Sequence, residues 1–141
     1  MTYKREAWKN AYERLVVARE RLNSYRESNR ESSLLLDEAV WLCWSFGEFA
    51  INACLEVHGF TPLQNHSQAL GAKNLKNGGL LCGDYEEALE QLERFRKKAS
   101  HISYVKESST HYNATNVEKC LEQMEALRDE THALLRSRGK I

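Results

Sequence analysis

From about Thr2 to Arg30 the apolar positions are Trp8, Ala11, Leu15, Ala18, Leu22 and Tyr25, in alternating steps of three and four. That spacing puts one seam on an α-helix and leaves Lys, Arg and Glu on its other faces. No Gly or Pro interrupts the segment, so a helix about 40 Å long is expected. A second helix is expected from an N-cap at Ser32 or Ser33 to about His58, with Gly59 as its stop. It is apolar nearly all round: Leu34, Leu35, Val40, Leu42, Cys43, Phe46, Phe49, Ala50, Ala53, Cys54 and Val57 cover most of its surface. Such a helix belongs in the middle of a bundle. Its polar residues Asp37, Ser45, Glu48, Asn52 and Glu56 form a narrow stripe with Trp41 in the gap. The stripe has to face solvent, a cleft or a partner, because a buried carboxylate needs compensation.

The next stretch, GFTPLQNHSQALGAKNLKNGGLLCG, reads as a loop carrying one short helix from Ser67 to about Leu75, capped by Ser67. A third long helix begins at Asp84, an N-cap after Gly83, with Tyr85, Ala88, Leu89, Leu92, Phe95 and Ala99 on its apolar face. VKESSTHYN is a polar loop. The last helix starts at Ala114 or Thr115 and runs to about Ser137 along a seam of Val117, Cys120, Met124, Leu127, Thr131 and Leu134. Arg128, Arg136, Arg138 and Lys140 suit the negative end of its dipole. The expected fold is all-α, an antiparallel bundle of four long helices plus one short helix, in a single domain over residues 1–141.

Composition sharpens this picture. Seven Gly and one Pro in 141 residues are too few for an all-β sandwich, which needs a turn every ~8–12 residues. Lys plus Arg and Asp plus Glu balance at 20 each, which excludes a histone-like coat for nucleic acid but not a local basic patch. The segment MTYKREAWKNAYERL lacks the apolar core of a secretory signal. Ala39 to Val57, the most apolar stretch, is interrupted by Ser45, Glu48, Asn52 and Glu56 and reads as a buried helix rather than a membrane span. No membrane contact and a cytoplasmic location are therefore expected. Cys43, Cys54, Cys82 and Cys120 form no CxxC pair and read as free thiols. His58 and His66 lack a third ligand, so no metal is expected. No cofactor is expected either: Asn77-Gly78-Gly79 lacks the lysine and the following helix of a phosphate-binding loop. His111 reads as a solvated loop residue and His132 as a helix-surface residue. Trp41 and Trp44 read as core or dimer-interface aromatics.

The chemistry concentrates late in the third long helix. Arg94, Arg96, Lys97 and Lys98 precede His101, and Tyr104 follows it. Histidine exchanges protons near neutral pH, and arginine grips a phosphate with a planar fork. Together they suffice for RNA cleavage by the 2′-hydroxyl. On a straight helix Arg96 and His101 are about 140° apart, whereas Arg94 and His101 are about 20° apart. Arg96 is the first choice of partner for His101 and Arg94 the second. Glu48 and Asn52, from the polar stripe, are candidates to orient either group.

Arg96-Lys97-Lys98-Ala99-Ser100-His101 is an Arg, four residues, then His. Upstream lies the aromatic-rich segment LDEAVWLCWSFGEFAINACLEVHGFTP, followed by NHS and a short helix. This order resembles the HEPN family of small helical-bundle proteins, over roughly residues 5–136. The resemblance implies a metal-independent endoribonuclease that works as a homodimer, with the Arg and His of both protomers meeting in one cleft. It assigns proton transfer to His101 and phosphate binding to Arg96; a six-residue gap, as from Arg94 to His101, also occurs in the family. Many members are toxins or phage-defence proteins paired with a nucleotidyltransferase antitoxin, which in some pairs modifies a tyrosine two residues after the histidine. Here Tyr104 is three residues after it, and Lys97 stands where active members often carry Asn, Asp or His. Other members have lost catalysis and bind a partner protein, nucleotide or RNA, which is the alternative reading for this chain.

Overall fold

The nearly all-apolar second segment forms the longest helix and occupies the centre. The computed structural model describes residues 5–28, 33–63, 65, 67–105 and 112–141, without the side chains of residues 100–105. Its helices are α1 (Arg5–Glu27), α2 (Ser33–Val57), α3 (Gln68–Asn77), α4 (Glu86–Val105) and α5 (Ala114–Ser137). Among the described residues there is no strand, and no helix is long and apolar enough to cross a membrane. Helix α2 packs against each of the other four.

The seam of α1 is buried as expected: Trp8, Ala11, Leu15, Ala18 and Leu22 all lie inside, while Tyr25 is only half-buried. On α2, Leu36, Ala39, Val40, Cys43, Phe46, Ala50, Ile51, Ala53 and Cys54 are completely buried. Burying one such large side chain contributes about 1.5–3 kcal/mol. Leu34, assigned to the same apolar surface from its pattern, is instead 60% exposed. Gly47 lets α4 and α5 approach α2 closely, since a Cβ there would sit 2.6 Å from Leu89 Cδ2 and 3.3 Å from Met124 Sδ.

The helix ends follow the sequence with local corrections. Gly59, at φ 81°, ends α2 as expected, with Gly59 N–H donating to Glu56 O at 3.0 Å and Phe60 N–H to Leu55 O at 2.8 Å. Ser67 precedes α3 but its hydroxyl donates to Asn65 Oδ1 at 2.6 Å and caps nothing. Asp84 acts one position early: its carboxylate accepts from Glu86 N–H at 3.3 Å, and α4 begins at Glu86. Helix α5 starts at Ala114 because Asn113 and Asn116 form a reciprocal capping box. Thr2, Arg30, Ser32, His66 and His111 lie outside the described residues.

Every cysteine is free; Cys43, Cys54 and Cys120 are buried and Cys82 is exposed. Burial pushes the Cys54 and Cys120 thiols up to about 11, so both are neutral core groups at physiological pH.

A carboxylate on α5 anchors the turn into α4. Glu130 accepts from Cys82 N–H at 2.7 Å, from Gly83 N–H at 2.9 Å and from the Tyr85 hydroxyl. Burial alone would raise its pKa, but these hydrogen bonds together hold it below the usual carboxylate value. Its contribution is therefore complete at neutral pH and is lost as the pH falls through the carboxylate range. Glu130→Gln is expected to lower stability at pH 7 by about 1–3 kcal/mol. By urea denaturation the deficit should shrink towards about pH 3. A deficit that stays constant with pH would contradict this account.

Candidate functional site

Arg96 is held from three sides. It lies on the face of α4 that flanks the buried Leu92 and Ala99, and this brings it onto the aromatic pair of α2. Trp41 and Trp44 meet edge to face, with centroids 5.4 Å apart. The Arg96 guanidinium carbon sits 4.4 Å from the Trp44 centroid and 5.8 Å from that of Trp41. Such stacking favours arginine over lysine, because the flat ion is weakly hydrated and matches the ring. Glu93, one turn earlier on α4, closes the third side by pairing with Arg96 Nη2.

Glu93 is the hub of this cluster. Its second oxygen accepts from Trp44 Nε1–H at 2.5 Å, and Lys97 Nζ lies 3.7 Å from the first. Burial alone would raise the Glu93 pKa. Hydrogen bonds from Arg96 and Trp44, with the charges of Arg96 and Lys97, outweigh it and hold the carboxyl below its ordinary value. The Arg96 side chain is only 17% exposed, and its Nε is buried without a hydrogen-bond partner among the described residues. The arginine is thus positioned rather than free to sweep through solvent. Glu93 carried a sequence signal: it stands three residues before Arg96 and four before Lys97, the spacings at which helical ion pairs form.

Arg94 behaves differently. It is exposed and lines a cleft of about 230 Å³ together with Trp44, Glu48, Gln68, Glu90 and Glu93. Glu48 is thereby brought to the same cleft as Arg94. Asn52 is not. Its side-chain amide brackets the backbone of Leu63, accepting from Leu63 N–H at 3.0 Å and donating to Leu63 O at 3.4 Å. That role pins the segment between α2 and α3.

The rest of the polar stripe is divided in the same way. Asp37 is buried and accepts from the Tyr112 hydroxyl; burial raises its pKa, against the opposing effect of that hydrogen bond. Ser45 accepts from Arg14 of α1 at 3.1 Å. The expectation of one stripe facing one environment is therefore corrected: a pattern at helical spacing marks a direction, but four neighbouring elements converge on α2 from that direction.

A second cavity, of about 510 Å³, opens on the other side of the aromatic pair, between Leu34, Asp37 and Trp41 of α2, Val17 and Arg21 of α1, and Ala99 of α4. His101 stands two residues beyond Ala99 on α4, and Tyr104 three residues further. The side chains of His101 and Tyr104 lie outside the described residues. The backbone of α4 is helical without a break from Glu86 to Val105, so its register carries Arg94 and His101 on one face. Among the described residues no group of three His, Cys, Asp or Glu could hold a metal ion. His58, considered with His66, has its Nε2 buried without a partner among the described residues; burial first, and then the charge of Arg138, lower its pKa. No protein-family model, curated protein or solved structure matches the chain.

Glu93→Ala tests the hub. It leaves the Trp44 N–H without its acceptor and the Arg96 guanidinium without its counter-charge. The expected cost is about 1–3 kcal/mol of folding stability, read as a lower urea midpoint at unchanged slope. A substitution without effect on the midpoint would mean that the cluster is solvated and does not position Arg96.

Proposed function

We propose that this chain is a HEPN-type, metal-independent endoribonuclease, working as a cytoplasmic homodimer of antiparallel four-helix bundles. The arrangement of side-chain pairs supports the bundle. Arg21–Glu38, Arg14–Ser45 and Trp8–Phe49 run down α1 as they run up α2. Tyr85–Glu130, Gln91–Cys120 and Phe95–Tyr112 relate α4 to α5 in the same opposed sense.

The observation that carries the catalytic reading is the pairing of a fixed and an accessible arginine on one unbroken helix with His101. In the proposed reaction the 2′-hydroxyl loses its proton as its oxygen attacks phosphorus. The 5′-oxygen departs, takes up a proton and leaves a 2′,3′-cyclic phosphate. His101 handles a proton. Arg94, exposed and one helical face with His101, meets the phosphate and its developing charge. Arg96, locked by Glu93, Trp41 and Trp44, is a positioning residue that holds α4 against α2. Glu48, at the cleft of Arg94, and Tyr104, three residues beyond His101, are proposed as supporting groups. A toxin or phage-defence role, with a nucleotidyltransferase-type antitoxin as partner, follows from the family resemblance alone.

One observation favours the second reading, a HEPN-like module that binds RNA, nucleotide or protein without cutting. The charge of Arg96 is already compensated by Glu93, which weakens its hold on a phosphate. The experiment is incubation of pure protein with assorted RNAs in EDTA, with single variants alongside. Removing His101 as His101→Ala should lower cleavage by ~10²–10⁴. Arg94→Ala should weaken both binding and turnover, and Arg96→Ala should cost stability before it costs rate. A larger loss of rate at Arg96 than at Arg94, in folded protein, makes Arg96 the phosphate ligand. No cleavage by the native chain, or equal cleavage by all variants, rejects the enzyme and leaves the binding module. A monomer by light scattering removes the shared site.

A further inference from the structure

The face formed by the start of α1 and the end of α5 carries a second, differently built site. Trp8, Tyr12 and Val16 succeed one another at four-residue steps on α1, and His132 and Arg136 do so on α5. The two rows line a cavity of about 720 Å³, whose rim adds Arg5, Lys9, Glu13 and Ile141. Cavities of this size hold small organic ligands. The lining has an apolar, ring-rich floor and three side-chain cations against one side-chain carboxylate.

Two features set these cations apart. Along the rest of α1 the arginines are engaged: Arg14 bonds Ser45, Arg19 pairs with Glu118 and Glu125, Arg21 with Glu38 and Arg26 with Glu118. The side chains of Arg5, Lys9 and Arg136 make no hydrogen bond or ion pair among the described residues. The second feature is His132. Sequence pattern placed it on an open helix surface, but its Nδ1 accepts from Trp8 Nε1–H at 2.9 Å. The neutral ring therefore carries its proton on Nε2, which is left as a donor. The ring is also held in place by the Trp8 and Tyr12 rings, with centroids 5.9 Å and 6.2 Å away, and Arg128 covers Tyr12 at 4.6 Å. A donor fixed by packing, beside uncompensated cations and over an aromatic floor, is the arrangement that recognises an anion on a flat ring.

We propose that the α1–α5 cavity binds a small planar anion, an aromatic ring system bearing a phosphate or a carboxylate. Arg136 and Lys9 hold the anionic group, the His132 Nε2–H donates to it or to the ring substituent, and the ring lies against Tyr12 and Val16. The site is separate from Arg94, Arg96 and His101 and does not depend on the chain being a ribonuclease.

The test uses the indole N–H signals of Trp8, Trp41 and Trp44 in a ¹⁵N–¹H spectrum of the whole chain, assigned by Trp→Phe variants. Four probes are titrated: adenosine 5′-monophosphate, 2-naphthoate, adenosine and inorganic phosphate. The expected result is a saturable shift of the Trp8 signal with the monophosphate or with 2-naphthoate, while those of Trp41 and Trp44 stay in place. Which of the two acts tells phosphate from carboxylate. Adenosine and inorganic phosphate, each lacking half of the chemistry, should bind at least about tenfold more weakly. The double variant Lys9→Gln/Arg136→Gln changes two exposed residues, so the fold is kept. It should weaken the active probe by about tenfold or more. The proposal is overturned by no Trp8 shift with either ring-bearing anion, by an equal response in the double variant, or by inorganic phosphate binding as tightly as the ring-bearing anions.

Discussion

Helix α2 has almost no face that water would accept, and its burial imposes the rest of the arrangement. With Leu36, Val40, Cys43, Phe46, Ala50, Ile51 and Cys54 fully enclosed, the remaining helices must surround it. Truncating one such residue, as in Phe46→Ala, costs about 3–5 kcal/mol because a cavity remains. The same enclosure dictates what happens to the polar atoms of α2. Several are answered by a neighbour, and each neighbour answers differently: Tyr112 for Asp37, Glu93 for Trp44, Arg14 for Ser45 and the Leu63 backbone for Asn52, whereas Glu56 Oε2 is buried with no hydrogen-bond partner among the described residues.

One of these pairings links packing to the candidate chemistry on α4. The indole N–H of the half-buried Trp44 has Glu93 as an acceptor. A carboxylate drawn this far from water needs cations in turn, and Arg96 and Lys97 supply those. The arginine that motif spacing puts first is consequently already engaged, by Glu93 and the two indole rings. Its neighbour Arg94 is exposed and lines a cleft that also holds Glu48, Glu90 and Glu93. The proposed reaction divides positioning and phosphate contact between these two arginines of one helix.

The α1–α5 face shows the opposite balance. There the ring of His132 is fixed by Trp8, while three side-chain cations line the cavity with Glu13 as the one side-chain carboxylate. In a chain whose charges cancel overall, an uncompensated local group of cations is a property of placement and not of composition.

Periodicity alone was enough to determine the five helices, the buried seam of α1 and the central place of α2. These depend on nearest neighbours along the chain and on the hydrophobic effect, which is non-directional and follows local pattern. Gly59 was readable for the same reason, since a left-handed residue at a helix end is a local demand. The polar groups were not readable in this way. Asn52 and Glu48 share a stripe and a helical face, yet one brackets a loop and the other lines a cleft, because different elements arrive opposite them. His132 looked solvent-facing from its own helix; only the packing of α1 brings Trp8 within 2.9 Å. Hydrogen bonds and ion pairs are short and directional, so their partners, separated by up to 124 positions in the Trp8–His132 pair, are decided by the tertiary structure.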